Sequence, residues 1–302
     1  MGPATLAWLA RQRGNAPMGW LECPRCGLIR SAGDRSPAQI REWYGTAPLP
    51  APAGAGIRAP WKRWCLRQLV LATVHRDWRR WPWVLPLYPL LAHFQGLPAP
   101  RAAGRVLDLG CGEGECMAIL RACGWSVQGV EMDPRRAAIA RAHGVPVWSG
   151  EITEYPWDGR PFDVIRLWHV LEHLPEPDRI LRHIRPWLKP GGELIVGVPN
   201  VQGAMHHLFR RRWAGLRQPY HLHHFTARAM DRLLRGAGFS QIRIRSRSCG
   251  TVLDSFGEAF GTRGRWAARQ LPVRLASVLC DGLFDLLLLS DALDARAAVT
   301  AP

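Results

Sequence analysis

The stretch Arg105-Val106-Leu107-Asp108-Leu109-Gly110-Cys111-Gly112-Glu113-Gly114 constrains the fold more than any other part of the chain. An apolar run ends in an acid and breaks into three alternate glycines, the pattern of a buried strand entering a tight turn. A helix is expected to follow from Glu115 to Cys123. Glycines here let the backbone approach a ligand where a Cβ would collide, and outward amides at the helix start add a local positive potential. Farther on, a second apolar strand, Val127-Gln128-Gly129-Val130, ends in Glu131. That carboxylate is placed to take both hydroxyls of a ribose. Glycine turn plus distant acid implies a nucleoside-containing cofactor.

A dinucleotide fingerprint would read G-x-G-x-x-G. Here the spacing is G-x-G-x-G, with Asp108 two residues before the first glycine. This resembles motif I of the class I S-adenosylmethionine (SAM) methyltransferases. The resemblance implies that Gly110, Cys111, Gly112 and Gly114 lie against the amino-acid half of SAM. Asp108 would help hold the ammonium, and Glu131 with Met132 would meet the ribose and its surroundings. The likeness continues along the chain. Val145 to Trp148 reads as a short strand, followed by Ser149-Gly150-Glu151-Ile152, where the family places Glu151 and Ile152 against adenine. Phe162-Asp163-Val164-Ile165-Arg166-Leu167-Trp168 resembles the fourth strand, with Trp168 at its cofactor end. His169-Val170-Leu171-Glu172-His173-Leu174-Pro175-Glu176-Pro177 matches the H-V-L-E-H-L signature of a small-molecule subgroup. Leu188-Lys189-Pro190-Gly191-Gly192 is the turn before the fifth strand.

The pattern of the residues agrees. Short apolar runs alternate with helical stretches, the signature of a parallel sheet with helices on both faces. The resemblance implies that this is the Rossmann-like α/β fold of the class I methyltransferases, with a mostly parallel seven-stranded sheet. Pro134 after Asp133 marks a helix start, as does Thr226 before Met230, Leu233 and Leu234. Ligands in such sheets bind outside the carboxyl ends of the strands, where Asp108, Glu131, Glu151 and Trp168 all fall. The organisation expected is an N-terminal knuckle at 1–45, a linker and lid at 46–100, and a SAM-binding domain at 101–302.

Cys23-Pro24-Arg25-Cys26-Gly27 is one half of a zinc ribbon, since it offers two thiolates to one metal. A structural site needs four ligands and no second pair lies nearby, so the competing reading of Cys23 and Cys26 is a knuckle held by packing. Related methyltransferases carry two such pairs, followed by an aromatic pair resembling Trp43-Tyr44. Residues 46–60, rich in Pro, Ala and Gly, read as a linker. Segment 61–94 interleaves five tryptophans with arginines. It reads as a helical lid, with peripheral contact to an anionic membrane as the alternative. The insertion 201–219 carries Arg210, Arg211 and Arg212 and falls where the family builds its acceptor pocket. The tail from Leu271 to Ala292 reads as a helix, with a last strand near Ala295–Val299.

The net charge of +16 rests almost wholly on arginine, Lys62 and Lys189 being the lysines. Such a bias follows GC-rich coding as readily as nucleic-acid binding. No apolar run reaches the roughly 18 residues of a membrane span. Eight scattered cysteines form no disulfide framework, so reduced thiols in the cytoplasm are expected.

Methyl transfer from a sulfonium needs alignment and exclusion of water, and a hydroxyl acceptor also needs a base. Histidine is the natural base near neutral pH. His173 and His221 are the leading candidates, with His169 and His224 behind them. His169-x-x-Glu172-His173 also matches a zinc-protease motif, but that motif requires a helix and here it leaves a strand and meets Pro175 and Pro177. Some quinone-pathway O-methyltransferases have E-x-x-E-H at this point and use a divalent ion; here His169 replaces the first Glu. The function expected is SAM-dependent methylation of a small-molecule acceptor at oxygen, such as a sugar or polysaccharide precursor, a quinone-type phenol or a secondary metabolite. The alternative is a nucleic-acid (RNA) methyltransferase, against which Trp168-His169-Val170-Leu171 replaces the D/N-P-P-Y/F of amino-methylating enzymes. A non-catalytic scaffold and a nicotinamide oxidoreductase are the remaining readings.

Overall fold

The computed structural model describes residues 20–31, 39, 42, 96–98, 104–216, 220–247, 255, 259–261 and 290–300. Its described elements open with a hairpin, β1 (Trp20–Glu22) and β2 (Ile29–Ser31). Then come β3 (Arg105–Leu109), α1 (Glu115–Ala122), β4 (Ser126–Glu131), α2 (Pro134–Ala142), β5 (Val147–Ser149) and β6 (Phe162–Trp168). They are followed by α3 (Pro177–Ile184), β7 (Leu188–Pro199), α4 (Ala204–Phe209), β8 (His223–His224), α5 (Ala227–Gly236), β9 (Ser240–Arg247) and β10 (Ala292–Ala298). The 46–60 linker, the 61–94 segment, Trp43-Tyr44, the expected domain boundaries and the 271–289 part of the tail lie outside the described residues.

Seven strands form one sheet in the order β5-β4-β3-β6-β7-β10-β9. The pairs from β5 through β7 are parallel, and β10 runs antiparallel to both β7 and β9. The expected mostly parallel seven-stranded sheet is therefore present. Its strands read as continuous apolar runs because helices cover both faces. One face packs Leu107, Leu109, Ile165, Leu167, Val196 and Val198 against α3 and α5. The other packs Val106, Val164 and Ile195 against Met117 and Leu120 of α1 and Ala137 and Ala140 of α2. The strand order reverses at β3, which opens a crevice at the carboxyl ends of β3 and β6.

Local chemistry sets the helix starts. Asp133 caps α2 by accepting the Arg135 N–H at 2.9 Å, and Pro134 supplies the first helical residue. The tail differs from expectation. Ala292 belongs to β10 rather than to a helix, because its backbone pairs with Pro199 on one side and Arg247 on the other, and β10 starts three residues before the expected strand. Among the described residues, no helix is long and apolar enough to cross a membrane.

A second, three-stranded sheet joins β1, β2 and β8. It lays the N-terminal hairpin along the histidine segment, pairing Ile29 with His224 and Arg30 with His223. The Thr226 hydroxyl fastens the arrangement. It donates to the Cys26 carbonyl at 2.8 Å and accepts the Ala229 N–H at 3.0 Å as the cap of α5. Thr226→Ala should therefore lower stability by about 1–2 kcal/mol. The measurement is the urea midpoint at constant slope; Thr226→Ser should recover most of the loss, and an unshifted midpoint for the alanine variant would show that the hydroxyl is dispensable.

Candidate active site

The three glycines of the turn after β3 all take left-handed backbone, with φ of +75° at Gly110, +56° at Gly112 and +77° at Gly114. The amides of the turn itself are engaged within the protein. Gly110 and Cys111 both donate to the Val130 carbonyl (2.7 and 3.0 Å), and Gly114 donates to the Cys111 carbonyl at 3.0 Å. The Gly112 N–H donates to Glu131 Oε2 at 2.8 Å. The cause is that the turn doubles back over the end of β4. A pyrophosphate cradle needs such amides for its anion, so this turn suits a ligand without phosphates at that point. A Cβ on Gly112 would meet nothing within 4 Å, which leaves this residue open to close approach.

Two amides hold Glu131, since Oε1 also accepts the Asp133 N–H at 2.9 Å. Burial pushes its carboxyl up, with those two hydrogen bonds opposing. Met132 follows it, partly exposed. Glu151 and Ile152 lie just past β5, Ile152 buried and Glu151 partly exposed. Cys111 is half-buried, and burial together with the Asp108 and Glu131 charges pushes its thiol up, so it is no nucleophile.

Asp108 is 1% exposed, and both its oxygens accept from Arg166 Nη1 at 3.0 Å. An ammonium at this end would therefore meet an ion pair rather than a lone carboxylate. Burial pushes the Asp108 carboxyl up, against the pull of the Arg166 charge. Sequence reasoning passed over Arg166. The available signal was a charge inside the apolar run Val164-Ile165-Arg166-Leu167, because a strand buried on both faces admits a charge only with a partner. The ring of Trp168 packs on Gly197, and the Arg166 guanidinium lies 5.3 Å from its centroid.

The segment after β6 touches the glycine turn, since Val170 packs against Gly110. His169 turns the chain there with φ 55°, a conformation that costs a β-carbon-bearing residue energy and recurs at functional sites. Its Nδ1 lies 3.2 Å from Glu172 Oε1. Glu172 is fully buried. Burial alone would raise its carboxyl, but the His169 hydrogen bond and the neighbouring His173, His169 and His221 bring it down to about 2. It is thus ionised at any working pH.

His173 and His221 meet edge to face, with ring centroids 4.6 Å apart. His173 Nδ1 faces the Tyr220 carbonyl at 3.0 Å, and His221 Nδ1 faces the Gly215 carbonyl at 2.7 Å. A carbonyl only accepts, so each Nδ1 carries a proton, and in the neutral form of either ring the lone pair is at Nε2. One ligand atom each from Glu172, His173 and His221 falls within 4.8 Å of the others. Two imidazoles and a carboxylate suit a divalent first-row ion. His224 is also buried nearby, and burial and the adjacent His221 and His223 bring it down to about 3, which makes it a weak proton acceptor at neutral pH. In the insertion, Arg210 is exposed while Arg212 donates to the Ala259 carbonyl at 3.0 Å; the Arg211 side chain is outside the described set.

Cys23 and Cys26 are both buried in the hairpin turn, where the Gly27 N–H donates to the Cys23 carbonyl at 2.8 Å. Burial pushes the Cys26 thiol up. Among the described residues, no third His, Cys, Asp or Glu joins them as a ligand group.

Comparison with known proteins adds to this geometry. The family described as "Methyltransferase domain" matches residues 75–244. The ubiquinone biosynthesis O-methyltransferase of Pseudomonas aeruginosa is 34% identical over 139 residues, which cover 43% of this chain and 60% of that protein. Its counterpart in Pseudomonas syringae pv. tomato is 32% identical over 142 residues with the same coverage. The chain thus spans about 60% of the length of the curated relatives it matches. A SAM-dependent methyltransferase structure from Thermotoga maritima superposes with a TM-score of 0.50 at 20% identity, covering 76% of this chain and 98% of that one. This likeness bears on the fold alone.

Proposed function

This chain belongs to the methyltransferase-domain family, whose cofactor is SAM, and from that premise we propose that it methylates a hydroxyl oxygen of a small molecule. The observation that carries the oxygen acceptor is the pair of Nδ1-protonated imidazoles, His173 and His221, gathered beside Glu172 and one residue's contact away from the glycine turn. Two lone-pair nitrogens and an ionised carboxylate attract a proton donor, which a hydroxyl is and a tertiary amine is not. The cofactor supplies the activated methyl group as a sulfonium. Glu131, oriented by two amides, takes the ribose hydroxyls, with Met132 beside it. Glu151 and Ile152 flank the adenine, and Gly110, Cys111, Gly112 and Gly114 line the amino-acid half together with Asp108 and Trp168. His173 or His221 accepts the hydroxyl proton at Nε2, and the buried Glu172 stabilises the imidazolium that results. Glu172, His173 and His221 would also hold a divalent ion, which supplies Lewis-acid polarisation of a hydroxyl when bound.

The closest fit of acceptor to this site is a sugar or polysaccharide precursor, a quinone-type phenol or a hydroxylated secondary metabolite. Incubating the protein with methyl-labelled SAM and fractionated cell extract, then identifying the labelled product by mass spectrometry, tests the reading. Label on a small-molecule oxygen supports it, and label on RNA or on nitrogen overturns it. The Cys23–Cys26 knuckle acts in this reading as a packed hairpin rather than a zinc site. Metal analysis beside a Cys23→Ser variant should show no cysteine-dependent zinc; one equivalent lost on substitution would reassign the knuckle as a metal centre.

A further inference from the structure

One row of side chains crosses the sheet in register: Asp108 on β3, Arg166 on β6, Ile195 on β7 and Arg296 on β10. The two arginines reach off the sheet to the same short turn. Arg166 Nε donates to the Gly96 carbonyl at 3.1 Å, and Arg296 Nη2 donates to the Leu97 carbonyl at 3.1 Å. Leu97 is buried with Val106, Val164 and Ile195 beneath it. Gly96 takes φ +72° and lies so close over Trp168 that a Cβ there would fall 2.1 Å from the indole ring. Arg166 is 4% exposed, and its guanidinium ties three parts together: the Gly96 carbonyl above, both oxygens of Asp108 beside it and, at 3.8 Å, the Cys116 sulfur of α1. Burying a charge in a sheet is costly unless it is fully partnered, and here Asp108 and Cys116 lie two residues either side of the Gly110–Gly114 turn while Gly96 comes from the separate turn above.

We propose that Arg166 is a positioning residue for the amino-acid end of the cofactor, clasping the Gly96–Leu97 turn over Trp168 and fixing Asp108 beneath it. The proposal rests on the cofactor reading above. The end of SAM that carries ammonium and carboxylate is a zwitterion. A carboxylate already paired with a guanidinium meets it as an oriented dipole with no net charge, and the clasped turn closes the wall against water. Loss of Arg166 leaves the turn tied by Arg296 alone and Asp108 buried without its counter-ion.

Calorimetry with two probes reads this directly. S-adenosylhomocysteine carries the amino-acid end and 5′-methylthioadenosine lacks it. Arg166→Met should weaken the first by roughly tenfold or more and leave the second within about twofold, with partial recovery in Arg166→Lys. Gly96→Ala should show the same selective loss, since its methyl group must lift the turn off Trp168 while the buried pair stays intact. That variant carries the test alone if Arg166→Met does not melt cooperatively. Equal weakening of both probes, or no weakening in a folded Gly96→Ala protein, would overturn the assignment. Wild-type protein that binds neither probe would instead remove the cofactor reading, and this proposal with it.

Discussion

Gly110→Val is expected to abolish measurable SAM binding. The residue sits at φ +75°, where an L-residue costs about 1–2 kcal/mol and a β-branched one more. Its Cβ would also fall 2.4 Å from Val170 Cγ2. Relief requires moving the segment from His169 to His173, the one that carries the proposed base, at a further cost of about 1–3 kcal/mol for overpacking. At about 1.4 kcal/mol per factor of ten, the two effects together weaken binding by roughly 100-fold or more. Gly124→Val separates strain from site. Gly124 has φ +92°, yet a Cβ there meets nothing within 4 Å and the residue lies at the far end of α1. Both variants should melt earlier, but only Gly110→Val should lose S-adenosylhomocysteine binding by calorimetry. Equal affinity in Gly110→Val and wild type would take the turn out of the cofactor site.

The features legible in the sequence are those that local chemistry decides. The β6 span Phe162–Trp168 matches its apolar run residue for residue, and the caps at Asp133 and Thr226 follow from short polar side chains that accept a nearby amide. Glu131 is found at the end of β4 because strand ends are set by where the apolar pattern stops. The features that were not legible depend on register between distant segments. Nothing within residues 162–168 says that Arg166 will lie opposite Asp108, 58 residues earlier, until β3 and β6 pair in parallel. The engagement of the glycine-turn amides is likewise hidden, because the turn folds back on Val130, a tertiary contact with no local mark. The knuckle is similar. The Cys23-x-x-Cys26 spacing marks a knuckle, metal-bound or packed, but not that the hairpin it closes pairs with β8 about two hundred residues on and so lies against the histidine segment. At the tail, Ala292 has a helix-compatible side chain, and pairing with β7 and β9 overrides that preference.

His173→Ala and His221→Ala should each lower kcat by about 100-fold or more while leaving SAM affinity within about twofold, the range expected for loss of a positioned general base or its direct support. The geometry couples the two. Each ring is held by an Nδ1–H to a backbone carbonyl and leans on the other for the rest of its support. Their edge-to-face contact at 4.6 Å means that removing either also unseats its neighbour. The double variant should therefore cost little more than the worse single one, a non-additivity that marks groups acting as a unit. Glu172→Gln should fall between, since it keeps the shape and removes the charge that stabilises an imidazolium. Chelation separates the two ways these groups can work. Dialysis against a strong chelator should leave wild-type turnover unchanged if the histidines act as proton acceptors. A loss restored by a divalent ion and absent from the His221→Ala background would reassign Glu172, His173 and His221 as ligands of that ion. Unchanged kcat in both single variants would remove them from the reaction and point the search for the acceptor toward an atom that needs no base.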